Sequence, residues 1–130
     1  MDWNLLSDRP SQALAAALRG AAARHQAIAD NIANVDTPGF IRTDVRFEEA
    51  LAGALQRARR APRRADGLFS ALPVRARPDH SLPARADGNN VDIDREAVAL
   101  AKNALRYHAA SEALAARIRM LRTVIQRAAR

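Results

Sequence analysis

Two stretches, one near each end of the chain, carry apolar or small residues at alternating steps of four and three. In the first, Leu14, Leu18, Ala21, His25, Ile28, Ile32 and Val35 are spaced 4-3-4-3-4-3. In the second, Ala97, Leu100, Ala104, Tyr107, Ser111, Leu114, Ile118, Leu121, Ile125 and Ala128 keep the same alternation. A strand alternates with period two and cannot use this spacing. A helix that lies against another helix can, because the residues form one narrow seam. The first helix is expected over 11–35. Pro10 and Ser11 suit its start, and Pro38 disfavours helical geometry at Thr37. At ~1.5 Å per residue it is a rod of roughly 37 Å. The second is expected over 92–128, roughly 50 Å long. Asp92 or Asp94 can cap it, and Asp94 and Glu96 place acid in its first turn. Arg117, Arg119, Arg122 and Arg127 crowd the other end, where positive charge suits the helix dipole.

The segment between these helices reads differently. "RFEEALAGALQRA" puts Phe47, Leu51 and Leu55 on one face, so residues 36–57 are expected to hold a turn and a short amphipathic helix. Residues 58–90 contain four prolines. Their few large apolar groups, Leu68, Phe69, Leu72, Val74 and Leu82, are too few to fold alone. An irregular Pro/Arg-rich loop is expected there, with a short extended piece at "LPVRARP". The chain has 130 residues, one Trp, one Tyr and three Phe, and much of its apolar content is alanine. Long helices pack better than a bulky core from such material. The expectation is therefore a single all-α domain over 1–130, with its terminal helices paired antiparallel in a coiled-coil-like way. Val98, Leu105, Ala113, Met120 and Val124 flank the second seam and widen the stripe, which calls for further helices from other subunits.

Catalytic and metal chemistry find little support in the residues. There is no cysteine, which removes disulfides, thiolate nucleophiles and thiolate metal sites. His25, His80 and His108 lack metal-ligand spacing, and His25 falls on the seam. No Gly-rich phosphate loop follows a strand. "DGNNVDIDREA" fails as a calcium loop, because its sixth and twelfth positions are Asp92 and Val98 rather than Gly and Glu. Asp87-Gly88 reads as a turn and Asn89-Asn90 as the approach to the helix cap. No enzyme, cofactor or metal is expected. The net charge is +7, from 20 Arg and one Lys against 14 acidic residues. The run Arg57, Arg59, Arg60, Arg63 and Arg64 could meet nucleic-acid phosphates or an anionic lipid surface. No aromatic residue is interleaved for stacking, and no large apolar anchor accompanies it. A small basic helical nucleic-acid binder is the alternative reading, with loss of salt-sensitive binding on Ala substitution of Arg57, Arg59 and Arg60 as its test.

"NIANVDTPGF", residues 31–40, closely resembles the N-terminal signature of bacterial flagellar axial proteins, the rod, hook and hook-associated proteins. Its "VDTPGF" form resembles the proximal rod proteins within that group. "RTDVRFEEAL" and "DGNNVDIDREAVALAKNALRYHAASEALAARIRMLRTVI" look similar to that family as well. The resemblance covers roughly residues 10–55 and 85–126. Phe40-Ile41-Arg42 stands where the family more usually has Tyr-Lys, and the middle segment does not match.

The resemblance implies paired terminal helices and copies stacked helically into a hollow tube. It implies a structural subunit of the basal-body rod, between the inner-membrane ring with its export gate and the distal rod. The implied partners are copies of itself, other rod proteins, the basal-body adaptor, and membrane-ring and export-gate proteins. The implied location is the periplasmic rod, reached by flagellar type III export. "MDWNLLSDRPSQ" agrees with that route, because no basic region precedes an apolar one as in a cleaved signal. No run of about 18 apolar residues is present for a transmembrane helix. The motif residues that the resemblance singles out are Asn31, Ile32, Asn34, Asp36, Thr37, Pro38, Gly39 and Phe40. Asn31 and Asn34 are expected to bond freed helix-end carbonyls or a neighbouring subunit. Pro38-Gly39 is expected in a type II turn that aims Phe40 at an apolar surface. The helix-pairing seam is expected at Leu14, Leu18, Ile28, Val35, Leu100, Tyr107, Leu114, Ile118, Leu121 and Ile125.

Overall fold

The computed structural model describes residues 8–61 and 67–128. Trp3, Leu5 and Leu6 of the lead-in, and Arg63 and Arg64 of the basic run, lie outside them. Five elements follow in order: α1 (Arg9–Ala33), β1 (Thr43–Asp44), α2 (Glu48–Arg60), β2 (Arg77–Pro78) and α3 (Ile93–Ala128). The fold is mostly helical, and α1 packs lengthwise on α3. Three polar contacts fix the register as antiparallel. Asp8 meets Arg117 at 2.6 Å, Asn103 donates to the Ala21 carbonyl at 2.8 Å, and Asn31 donates to Glu96 at 3.2 Å.

α1 starts two residues earlier than the sequence suggests and ends two earlier. Pro10 fits its first turn, where a missing N–H costs nothing. Asn34, rather than Val35, closes it, with its N–H turned back to the Asp30 and Asn31 carbonyls. α3 is capped by Asp92, whose carboxylate accepts the Asp94 and Arg95 N–H groups at 3.1 and 3.2 Å.

The seam on α3 is more polar than its spacing suggests. Leu100, Leu114, Leu121 and Ile125 are half-buried, as are Leu14, Leu18 and Val35 on the α1 side, and Ile28 is buried. Tyr107 and Ile118 are exposed, at 43% and 45%. Glu96, Asn103 and Arg117 face α1 instead, on a track one residue away from Ala97, Ala104 and Ile118. A seven-residue repeat fits either track equally well; the hydrogen-bond partners on α1 select the polar one.

The middle of the chain is better packed than an irregular loop. Phe69 is 1% exposed and joins Ala16, Ala54 and Ala58 in one cluster, flanked by Leu51, Leu68 and Leu72. Val45 and Phe47 form a second cluster with Ala21 and Ala27. On α2 the buried residues are Ala54 and Ala58, while Leu55 is 38% exposed. Gly20 explains how Phe47 comes so close: a Cβ at Gly20 would lie 2.3 Å from the ring. Arg24 stacks 5.2 Å from the Phe47 centroid and ties Asp44, Glu48 and the Val45 carbonyl to α1. Strands β1 and β2 form a two-residue antiparallel bridge, with Thr43 opposite Pro78 and Asp44 opposite Arg77. The extended piece expected at residues 72–78 thus holds one strand of this bridge.

Candidate functional site

The motif at residues 31–40 and the "DGNN" stretch at residues 87–90 interlock where α1 ends and α3 begins. The end of a helix leaves carbonyls without intrahelical partners. In α1 these are served locally, by the Asn34 and Val35 N–H groups and the Asn34 side-chain amide; for the carbonyls of the cap and the turn just beyond, Asn89, fully buried, supplies the donor. Its Nδ2 lies 2.9, 3.1 and 2.8 Å from the carbonyls of Asn34, Val35 and Thr37. Its Oδ1 accepts the Val91 N–H at 2.7 Å, so the amide is used at both ends. Asn90 works on the next segment. Its Oδ1 accepts the Arg42 N–H at 2.7 Å and its Nδ2 donates to the Asp79 carbonyl at 2.8 Å. Two asparagines before a helix were legible as the approach to its cap; that one holds the turn after the other helix, and the next the segment beyond it, was not.

The turn that follows α1 closes with the Phe40 N–H on the Thr37 carbonyl at 3.3 Å. Gly39, its third residue, has φ +72°, as a type II turn requires. The Gly39 N–H then bonds the Asp87 carbonyl at 2.8 Å. Gly88, with φ +83°, crosses Gly39 so closely that a Cβ on it would meet the Gly39 Cα at 3.3 Å. Two turns far apart in sequence therefore touch backbone to backbone.

Asn31 and Glu96 lie beneath this crossing, both with no exposed surface. Asn31 pairs with Thr43 as a strand would, donating to its carbonyl and accepting its N–H, each at 2.8 Å. It also donates to Glu96, which binds the Arg42 Nε at 2.7 Å on its other oxygen. Arg42 extends to Asp79 as well. Burial pushes the Arg42 guanidinium down, but the Glu96 hydrogen bond and the Glu96, Asp79 and Asp44 charges hold it above its ordinary value. Breaking such a pair by removing one partner leaves a buried charge, at a cost of roughly 3–5 kcal/mol.

Asn31 is thus spent inside the chain and faces no neighbour. Asn34 bonds the freed Asp30 carbonyl at 2.8 Å and accepts the Thr37 hydroxyl at 3.1 Å. Ile32 and Phe40 are half-buried, and Asp36, Thr37, Pro38 and Gly39 are exposed. Arg42, Arg85, Asn89, Asn90 and Glu96 are the members that sequence reasoning missed. Arg85 donates to the Val35 carbonyl. Arg57, Arg59 and Arg60 fill the last turn of α2, where cations suit the dipole.

This arrangement defines a helix-paired structural subunit whose polar groups hold the chain to itself. Among the described residues no cluster of His, Asp or Glu could hold a metal ion, and no helix is long and apolar enough to cross a membrane. Residues 12–40 match the family model described as "Flagella basal body rod protein". Flagellar basal body rod protein FlgB of Escherichia coli K12 is 33% identical over 128 residues, covering 85% of this chain and 88% of that one. FlgB of Bacillus subtilis 168 is 33% identical, covering 88% and 91%. FlgB of Borreliella burgdorferi is 35% identical, covering 65% and 72%. The chain belongs to the FlgB family of flagellar basal body rod proteins, structural subunits rather than enzymes.

Proposed function

We propose that the chain is a proximal subunit of the rod, assembling helically with itself and other rod proteins into the hollow drive shaft. In this reading it sits between the inner-membrane ring with its export gate and the distal rod, in the periplasm. It meets the basal-body adaptor below and leaves the cytoplasm by the flagellar type III route without a cleaved signal peptide. The observation that carries the reading is the outer side of α3. Val98 and Leu105 are 54% and 72% exposed, on a helix whose other side is occupied by α1. Single exposed apolar residues are ordinary, but Val98 and Leu105, one seven-residue step apart, are joined along the same helix by exposed Met120 and Val124, and such a helix wants a partner. Seam residues Tyr107 and Ile118, exposed in the single chain, are assigned to the same contacts between subunits. Asn31, Asn34 and Gly39 are assigned to shaping the subunit, and Asp36 and Pro38 to its surface.

The test is an in-frame deletion of the gene, followed by swimming assays and electron microscopy of basal bodies. Cells that keep the membrane ring but lack rod, hook and filament, restored by the intact gene, bear the reading out. Complete flagella in cells with no second copy would overturn it.

A further inference from the structure

We propose that the two ends of the molecule are complementary docking surfaces for copies of the same chain, the Arg-rich end of one seating on the Asp-rich clasp end of the next. The setting rests on the rod reading, but charge and exposure carry the contact itself. Two helices bring basic side chains to the end where α1 starts. α2 runs back along α1, since Ala54 and Ala58 pack with Ala16, so Arg57, Arg59 and Arg60 lie near the start of α1. α3 passes that start beyond Arg117 and continues for eleven residues to Ala128, about 16 Å at ~1.5 Å per residue. This stretch carries Arg119, Arg122 and Arg127.

All six arginines are exposed, and none has an ion-pair partner among the described residues. A helix dipole alone would account for cations at a C-terminus. It does not account for Met120 and Val124, 61% and 60% exposed between them. Apolar surface rimmed by arginine is the composition of an interface, not of a solvated tail.

The other end has the opposite character. Asp30, Asp36 and Asp94 are exposed with no cationic partner among the described residues, and the Asp30 carboxylate accepts only a bond from Gln26. Asp87 and Asp92 hold loose pairs with Arg85 and Arg95, at 3.6 and 3.4 Å. Ile93, 52% exposed, lies among them. The two ends therefore carry opposite charge, each around exposed apolar side chains. Contact between unlike ends is heterologous and does not close on itself, so it extends a stack and gives it one direction. Like ends repel, which rejects a subunit added upside down.

Sedimentation velocity on the full chain tests this with two variants. One is Arg119→Glu with Arg122→Glu; the other is Asp30→Arg with Asp36→Arg. All four positions are exposed, and arginine at the end of α1 suits its dipole, so both should fold, as thermal melting by circular dichroism checks. Wild-type association is expected to weaken steeply as salt rises past about 0.1 M, where the screening length is about 10 Å. Each variant alone should associate at least about tenfold more weakly, and an equimolar mixture should recover, because each restores the opposite charge that the other lost. The proposal is overturned if the wild-type chain stays monomeric to about 1 mM at low salt. It is overturned equally if the variants associate like wild type, or if the mixture stays apart, which would mean each end meets some other protein or a nucleic acid. Motility of the deletion strain carrying the wild-type gene reads the rod assignment separately. Normal swimming with either variant would sink the end-to-end contact and leave that assignment standing.

Discussion

Replacing Asn89 by Ala removes the side chain that bonds three carbonyls of the cap and turn at the end of α1. Its Nδ2 has two hydrogens for three carbonyls, so about two bonds are lost, at ~1 kcal/mol each. None of the three carbonyls becomes an orphan. Asn34 keeps the Thr37 N–H, Thr37 keeps the Phe40 N–H, and Val35 keeps Arg85. The Val91 N–H is different. It is buried, and its bond to the Asn89 Oδ1 is its sole hydrogen bond among the described residues, so it loses its acceptor at roughly 1–3 kcal/mol. The total is about 3–5 kcal/mol, a large share of the ~5–15 kcal/mol that typically holds a domain. Asn34→Ala is the control: it gives up one half-exposed bond to the Asp30 carbonyl and one Thr37 contact, about 1 kcal/mol. Chemical denaturation followed by circular dichroism reads both. If Asn89→Ala costs no more than Asn34→Ala, the cross-chain cap contributes nothing special and the reasoning fails.

Other outcomes follow from the same geometry. Gly20→Ala should destabilise by a few kcal/mol although alanine in a helix normally gains about 1 kcal/mol, because the Phe47 ring occupies the space for a Cβ; pairing it with Phe47→Ala should recover part of the loss in the same denaturation assay. Gly88→Ala should cost more than Gly39→Ala. Both have positive φ, worth roughly 1–2 kcal/mol, but only Gly88 abuts another backbone, while nothing lies within 4 Å of a Cβ at Gly39. Acid should unfold the protein. Burial raises Asp79, but the Ser81 bonds and the Arg42 and Arg46 charges hold it below its ordinary value, and Arg24 outweighs burial at Glu48 in the same direction. Such groups bind more protons when unfolded, so stability is full above the ordinary carboxylate range of about 4 and falls as pH drops below it; melting temperature against pH checks this.

The long helices were legible because a seven-residue pattern over 25 and 36 residues leaves few alternatives. Which of two adjacent tracks faces inward was not, because Ala97 and Glu96 fit the repeat equally and partner positions on α1 decide between them. Phe69 shows the same limit in the loop. It follows Gly67-Leu68 and precedes Ser70-Ala71, with no period on either side, and nothing local reveals that Ala16 and Ala58 leave a socket for its ring. The turn at Pro38-Gly39 was readable from dihedral requirements alone. Its contact with Gly88 joins residues 49 positions apart, beyond the reach of any local rule.

Asn89 is 52 residues downstream of Thr37, whose carbonyl it bonds. At roughly 5–20 residues per second of synthesis, that separation is about 3–10 s. For that interval α1 has its own cap but not the residue that holds the turn beyond it, while the Glu96 that anchors Asn31 and Arg42 arrives later still. The clasp is thus a clock as well as a joint. It cannot close before residues 89–96 are made, and the start of α1 waits longer still, for Arg117.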